Sequence, residues 1–115
     1  MIHFLPLLAL LTGAAPPAEN WVKVADENGA VLYVDTNSIK TDGDTRSFRL
    51  KMTQPNGGIG LADTVADCKA QTLEPRRTEQ HLDGKLVNAR DYKPGEASIK
   101  PEDSIGKALL KAVCG

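Results

Sequence analysis

Aspartate, glutamate, lysine and arginine are absent from residues 1–18 of this 115-residue chain. Within that stretch, residues 4–11 (FLPLLALL) are apolar throughout, and the small residues TGAA follow them. This pattern is typical of a secretory signal peptide, in which an apolar core of about 7–15 residues precedes a small-residue cleavage site. A membrane span needs about 20 apolar residues, and three prolines interrupt this region. We therefore expect residues 1–18 to be a cleaved signal peptide, with an uncleaved anchor or a core helix as alternatives.

A cysteine is also lacking near the expected cleavage site, so there is no residue for the lipid attachment that bacterial lipoproteins use. The region before the apolar core has no lysine or arginine, only His3 and the free amine. Cleavage after Ala14 or Ala18 is favoured, because cleavage after Ala15 would leave Pro16 at the first mature position. We expect an exported protein, periplasmic or secreted, that is not a lipoprotein and has no stable membrane anchor after signal cleavage.

A strong charge of one sign is the next missing feature. The chain has 14 basic and 15 acidic side chains and a formal net charge of −1. Binding to nucleic acid or to an anionic membrane needs concentrated positive charge, which this balance does not supply. We expect no nucleic-acid partner.

Motifs for enzyme chemistry are scarce. His81 is the only histidine after residue 18, and no serine lies in a nucleophile-elbow motif. The glycine-rich residues 56–60 (NGGIG) lack the Lys-Ser/Thr of a P-loop, so we interpret them as a flexible loop. Asp42 and Asp44 resemble the start of a calcium loop, but a threonine stands where that loop needs a glutamate. We expect a non-enzymatic protein with no catalytic, cofactor-binding or metal-binding residues.

Two further features have a structural and a functional interpretation. His81 is isolated on a polar segment and is interpreted as a surface residue. Arg76 and Arg77 could contact an anionic partner, but neighbours on a strand point to opposite faces. The two arginines are therefore interpreted as part of a solvated edge that forms no single patch unless the strand is irregular.

Short β-strands joined by tight turns are predicted through most of the chain. Residues 45–53 (TRSFRLKMT) alternate most clearly, because Phe48, Leu50 and Met52 would share one face and polar residues the other. The predicted strands are residues 21–25, 31–35, 45–53, 64–73, 76–82 and 85–92. Residues 28–29 (NG) and 83–84 (DG) fit hairpin turns, which need positive φ at both positions. The pattern predicts an antiparallel meander of about six strands, with further turns at residues 35–39 and 42–44.

The periodicity changes at the C-terminus, where apolar residues recur at the spacing of one helix face. These residues are Ile105, Ala108, Leu109, Ala112 and Val113. Pro101 suits a first helical turn. Glu102 and Asp103 in the first turn and Lys111 near the end are favourable for the helix dipole. The fold class predicted is α+β, with a C-terminal helix packed on one face of the sheet.

The two cysteines of the chain are Cys68 and Cys114. An even number of cysteines in an exported protein favours a disulfide, whereas a structural zinc site needs four ligands and there is no C-x-x-C motif. Closing this long loop would stabilise the fold by about 4 kcal/mol in the chain-entropy model. We expect the bridge to fix the helix on a small-residue strand face formed by Ala66, Cys68 and Ala70.

Several short elements together resemble a known family. They are Trp21, residues 31–35 (VLYVD), residues 38–39 (SI), Cys68 and Cys114. Their order resembles the surface-adhesin protein E family of small exported bacterial proteins, with the approximate pattern W…Y-x-D-x-x-S-I…C…C. The resemblance implies an antiparallel sheet carrying a C-terminal helix, and attachment to host extracellular-matrix proteins. The namesake of the family is a surface lipoprotein, which this chain does not match.

The sequence therefore predicts one domain, residues 19–115, that acts as an exported, non-enzymatic binding or adhesin-like module. Its expected partner is a protein of the envelope or of the host matrix. The alternatives are a small periplasmic enzyme without a recognisable motif, and an inhibitor or chaperone. An inhibitor would present a protruding loop, for which residues 54–61 are the first candidate, or an unpaired strand edge.

Overall fold

The structure is a computed structural model, and it describes residues 18–115. The expected signal peptide therefore lies outside the described residues, apart from Ala18. Within this part of the chain no helix is both long and apolar enough to span a membrane.

Residues 18–115 form one antiparallel sheet of seven strands and one α-helix. The elements are β1 Trp21–Glu27, β2 Ala30–Asp35, β3 Lys40–Asp42, β4 Thr45–Thr53, β5 Ile59–Asp67, β6 Thr72–Leu82, β7 Lys85–Asp91 and α1 Ser104–Cys114. The strand order is β1-β2-β4-β5-β6-β7, and β3 also pairs with β4. The predicted α+β meander with a C-terminal helix is confirmed, with the short β3 as an additional strand.

Both predicted hairpin turns are present. Asn28 and Gly29 have φ angles of 54° and 85°, and Asp83 and Gly84 have φ angles of 52° and 76°. Two consecutive residues with positive φ match the twist of the adjacent strands, which is why Asn-Gly and Asp-Gly favour this turn. These turns set the pairing of β1 with β2 and of β6 with β7.

Strands β2 and β3 lie end to end along the same edge of β4. β2 pairs with residues 50–53 of β4, and β3 pairs with residues 45–47. Between them the 3-10 turn Thr36–Ser38 replaces the ladder. The Asp35 carboxylate caps this turn by accepting the Asn37 backbone N–H at 3.0 Å. The predicted turn at residues 35–39 therefore interrupts a strand without leaving the sheet.

The core lies between one face of the sheet and α1. Its buried apolar side chains are Leu32, Val34, Phe48, Ala66, Leu73, Leu109, Leu110 and Val113. Phe48 is buried, and Leu50 and Met52 pack against the cluster from the same side of β4. The alternation predicted for residues 45–53 is thus confirmed in both its limits and its buried face.

The single strand predicted over residues 64–73 is wrong. β5 ends at Asp67 and β6 begins at Thr72, so the chain reverses between them. The Asp67 carboxylate accepts the backbone N–H groups of Lys69 and Ala70, each at 3.0 Å. This side chain ends the strand without any glycine or proline, the residues that usually signal a turn.

The prediction that the helix packs on a face formed by small residues of one strand is wrong for the same reason. Ala66 is fully buried at the end of β5, but Cys68 lies in the turn and Ala70 is exposed. Helix α1 contacts β1 most extensively, and also β5 and β6. The helix therefore packs beside Ala66 and across the sheet rather than along one small-residue strand.

The prediction of a flexible loop over residues 56–60 is also wrong in part. Ile59 and Gly60 belong to β5, paired with Thr53 and Met52 of β4. The turn is confined to residues 54–58, where the Gln54 backbone N–H donates to the Gly58 carbonyl at 2.9 Å.

Helix α1 begins later than predicted and presents a slightly rotated face. Asp103 is the N-cap, and its carboxylate accepts the Gly106 backbone N–H at 3.0 Å. Glu102 and Asp103 therefore precede the first turn rather than lie within it. Leu110 is buried and Ala112 is exposed, the reverse of the predicted stripe, while Leu109 and Val113 are buried as expected.

The disulfide between Cys68 and Cys114 is present, with a Cα–Cα distance of 5.6 Å. It joins the turn after β5 to the last residue of α1. The predicted fastening of the helix is confirmed, although its attachment point is a turn and not a strand face.

Candidate functional site

The face of the sheet opposite α1 carries polar and aromatic side chains, and we call it the open face. Side chains alternate along a strand, so the neighbours of the core residues Val34 and Leu50 point to this face. The register places Tyr33, Lys51 and Leu61 in one row across β2, β4 and β5. No helix of residues 18–115 covers this row, because the one helix lies on the other side.

A second row on the open face alternates in charge, and we call it the charge row. It consists of Arg49, Asp63, Arg77 and Asp91, which are direct register partners across β4, β5, β6 and β7. Opposite charges in such cross-strand positions stabilise a sheet by about 0.2–1 kcal/mol for each pair. The row also fixes each cation beside an anion on the neighbouring strand.

The two arginines of the charge row differ in how their donors are used. Arg77 donates from Nη1 to Asp91 at 3.1 Å and from Nε to Glu79 at 3.0 Å. Arg49 Nε lies 3.1 Å from Asp63 Oδ1, but this buried atom forms no hydrogen bond. The Arg49–Asp63 contact is therefore an ion pair in which the N–H is not aligned with the oxygen.

Glu79 joins the charge row to His81. One Glu79 oxygen lies 2.9 Å from His81 Nε2, and the other accepts from Arg77. The hydrogen bond with His81, and then that with Arg77, lowers the pKa of Glu79 below its ordinary value of 4.5. The hydrogen bonds to Glu79 and then to Asp91 raise the pKa of Arg77. The His81 side chain is 26% exposed and lies at the surface, as predicted, but it is not isolated because it bonds to Glu79.

A β-bulge brings Arg76 and Arg77 to the same face. The register of β6 against β5 shifts between Asp63 and Thr64, so that Arg76 has no direct partner on β5. Arg76 donates from Nη2 to Glu74 at 3.1 Å on the open face. Strand β6 is therefore irregular, the condition under which the two arginines could form one patch, but carboxylates already engage both side chains.

An aromatic pair borders the open face near the start of the domain. Lys51 Nζ lies 4.5 Å from the centre of the Trp21 ring and 5.1 Å from that of Tyr33. A cation at this distance from a ring is attracted by its π electrons. Trp21 Nε1 also donates to Glu19 at 3.2 Å. These contacts hold an amphipathic surface in place at the edge of the sheet.

Two adjoining clefts open on this face, with volumes of about 690 Å³ and 290 Å³. The first is lined by Glu19, Asp35, Asn37, Ser38, Lys40, Ser47, Phe48, Arg49, Asp63, Thr64, Val65 and Arg76. The second is lined by Glu19, Trp21, Arg49, Lys51, Gly57, Ile59, Leu61, His81, Asp83 and Gly84. Glu19 and Arg49 line both, so the clefts meet at these two side chains.

The remaining candidates from the sequence occupy other positions. Asp42 is the last residue of β3 and Asp44 lies in the turn before β4, and both are exposed. Residues 54–61 contribute Gly57, Ile59 and Leu61 to the second cleft. Across residues 18–115, no three side chains of His, Cys, Asp or Glu are grouped so that they could hold a metal ion.

Arg49, Asp63 and Lys51 are site residues that the sequence pattern did not predict. Arg49 and Lys51 were identified as the polar side of β4, which is the signal that placed them away from the core. Their convergence with Asp63 depends on the register of β4 against β5. A pairing register is not visible in a single strand pattern.

A comparison with family models matches residues 21–115 to the family described as Surface-adhesin protein E. The chain belongs to the surface-adhesin protein E family. No curated protein and no solved structure matches the chain. Membership of the surface-adhesin protein E family indicates a surface adhesin-like role and an exported or surface location. The family match starts at Trp21, the residue that carries the aromatic border of the open face.

Proposed function

We propose that the protein is an exported, non-enzymatic adhesin-like module that binds a protein partner through the open face. The observation that carries the proposal is the pair of adjoining clefts that meet at Arg49 on the side of the sheet away from α1. The family supports attachment as the general role.

The residue types on the open face suit a protein partner. Trp, Tyr and Arg are enriched among the side chains that dominate binding energy at protein interfaces. Here Lys51 contacts both Trp21 and Tyr33, and Trp21 and Arg49 line the second cleft together. Because contacts within the face already restrict several of these side chains, less conformational entropy is lost on binding.

The start of the domain supports export with cleavage near Ala18. The Asn20 backbone N–H donates to Asp35 at 2.9 Å, and Asn20 Nδ2 donates to Thr36 Oγ1 at 2.7 Å. The chain therefore joins the fold directly after the expected cleavage site. We propose a signal peptide over residues 1–18, a mature domain over residues 19–115, and a periplasmic or secreted location with an envelope or host-matrix protein as the partner.

The proposal is tested by expressing the full chain with its own export signal and purifying the exported protein. Mass spectrometry of its N-terminus measures the cleavage position. Retention on immobilised matrix proteins and on envelope extract is then compared for the wild type, Trp21→Ala and Lys51→Ala. Lys107→Ala, an exposed change on α1, is the matched control.

We expect the two open-face variants to lose retention and Lys107→Ala to keep it. The proposal fails if no partner is retained above a reduced, unfolded control, or if all variants are retained equally. An uncleaved N-terminus would contradict the export part alone.

A hydrolytic function is the second candidate, because of the Glu79–His81 pair beside the second cleft. A carboxylate bonded to one ring nitrogen orients an imidazole for proton transfer. Turnover of generic ester or peptide substrates that His81→Ala abolishes would support this candidate. Turnover that is absent from the wild type, or unchanged in the variant, would count against it.

A further inference from the structure

Arg49 stands out among the arginines of the open face by its unused donors. A guanidinium group carries five N–H donors. Arg76 and Arg77 direct theirs to Glu74, Glu79 and Asp91. Within residues 18–115, the Arg49 side chain makes one ion-pair contact, to Asp63, and that contact is not a hydrogen bond.

The position of Arg49 does not depend on its guanidinium group. Its backbone N–H donates to Ser38 Oγ at 2.8 Å, and its strand is paired with β5 along its whole length. Asp63 lies beside Nε, and neither Nη atom donates a hydrogen bond to an acceptor within residues 18–115. The side chain is about 39% exposed and lines both clefts, so a ligand in either cleft can reach it.

We infer that Arg49 is the recognition residue for a single carboxylate of a protein partner, an aspartate or glutamate side chain. The planar guanidinium fork matches a carboxylate in two parallel hydrogen bonds, which a lysine cannot provide. The inference rests on the proposed binding through the open face, and it names the chemical group that is bound there.

The surroundings of Arg49 favour an apolar side chain next to that carboxylate. The second cleft contributes Trp21, Ile59 and Leu61 within reach of the same junction. Burying apolar area against such side chains contributes about 25 cal/mol for each Å² removed from water. The preferred segment is thus one acidic residue flanked by apolar residues.

The charges of the clefts favour a carboxylate over a phosphate or a sulfated sugar. In the first cleft the cations Lys40, Arg49 and Arg76 are balanced by three carboxylates, those of Glu19, Asp35 and Asp63. A multiply charged anion would meet Glu19 and Asp63 at close range, and like charges repel at such separations. A ligand with one negative charge can take the Arg49 donors with less repulsion.

The inference is tested with two capped pentapeptides, one with a glutamate between two leucines and one with a glutamine in its place. Each is titrated into the exported wild-type protein labelled with ¹⁵N, and the Arg49 Nε–H and Trp21 Nε1–H signals are followed. We expect saturating shifts and binding of the glutamate peptide about tenfold tighter than of the glutamine peptide, as a charged bidentate pair implies.

Two variants make the result specific. Arg49→Lys keeps the charge but not the fork, so it should remove most of the preference for glutamate. Arg90→Lys is the matched control, because Arg90 lies on β7 outside both clefts. Circular dichroism and thermal melting show that each variant is folded before it is titrated.

Equal affinity for the two peptides, or a preference that survives in Arg49→Lys, overturns the inference. These outcomes are separable from failure of the proposed function, which is measured by retention of whole partner proteins. If Trp21→Ala loses retention while the peptides bind alike, the open face binds protein but Arg49 does not select a carboxylate. Titration with phosphate and with a sulfated disaccharide checks the charge argument, and tighter binding of either would also overturn the inference.

Discussion

The Ser38 hydroxyl accepts the backbone N–H of Arg49 at 2.8 Å and donates to the Asp35 carbonyl at 2.7 Å. Along this edge of β4 the ladder with β2 stops at Leu50, and the ladder with β3 starts again at Ser47. A serine side chain thus supplies the acceptor that a neighbouring strand would otherwise provide. It also fixes the backbone of the residue at the junction of the two clefts.

We expect Ser38→Ala to destabilise the domain by about 1–2 kcal/mol, because it leaves a half-buried backbone N–H without its acceptor. Ser47→Ala is the matched control, since Ser47 is an exposed serine of β4 without a side-chain hydrogen bond to residues 18–115. Urea unfolding followed by circular dichroism measures both. Equal midpoints for Ser38→Ala and the wild type would show that the gap in the ladder does not need this hydroxyl.

The disulfide should carry a large share of the stability. Replacing Cys68 and Cys114 together by serine is expected to cost about 2–5 kcal/mol, because it releases a loop whose ends are 46 residues apart. Structure should be lost first in α1, so the amides of Leu109 and Leu110 should exchange hydrogen faster than that of Phe48. Hydrogen-exchange mass spectrometry and thermal melting make these comparisons.

Reduction provides the control for that experiment. A reductant should lower the melting temperature of the wild type to that of the double variant, and leave the variant unchanged. Under oxidising conditions, Cys114→Ser alone should already loosen α1. A melting temperature for this variant equal to that of the wild type would contradict a stabilising role for the bridge.

The local parts of the fold were predictable because short-range sequence signals determine them. The Asn28–Gly29 turn and the alternation of Phe48, Leu50 and Met52 need no information from elsewhere in the chain. The boundary between β5 and β6 was missed, because the Asp67 side chain ends the strand in a segment without glycine or proline. Such a cap is visible only when the backbone has already turned.

The candidate site was largely hidden from the sequence for a different reason. Arg49, Asp63 and Arg77 become neighbours through the registers of two strand pairs. The shared face of Arg76 and Arg77 depends on a bulge in β6. Registers and bulges follow from how several strands fit together, so one strand pattern does not reveal them.

The hydrogen bonds of Glu79 should make stability depend on pH. Because the pKa of Glu79 is lowered in the fold from an unfolded value of 4.5, the unfolded chain binds a proton first as the pH falls. The contribution of Glu79 is therefore present above pH 4.5 and is lost as the pH decreases through the lower, folded pKa. Stability should fall more steeply below pH 4.5 in the wild type than in Glu79→Gln.

Urea unfolding at a series of pH values measures this slope. Glu27→Gln, an exposed change at the end of β1, shows the effect of removing one carboxylate at a different position. Identical slopes for Glu79→Gln and the wild type would mean that the bonds from His81 and Arg77 do not favour the ionised carboxylate.

Gly106 in the first turn of α1 offers a test in which helix propensity and packing predict opposite results. Alanine is the better helix former by about 1 kcal/mol, so an alanine at an unobstructed position would stabilise the helix. A Cβ on Gly106 would instead overlap with Cβ of Pro101 and lie 2.7 Å from Oδ1 of Asp103, the oxygen that caps the helix. We therefore expect Gly106→Ala to destabilise the domain by about 1–3 kcal/mol, as overpacking does.

Thermal melting distinguishes the two effects, with Lys107→Ala as the control at the adjacent exposed position. Lys107→Ala should leave the melting temperature nearly unchanged, because both residues are good helix formers. Replacing Pro101 by glycine removes the overlapping Cβ, so Gly106→Ala should cost less in that background than in the wild type. A Gly106→Ala protein that melts at or above the wild-type temperature would show that Pro101 moves aside without cost, and that the glycine is not required for the close approach of residue 101 to the helix.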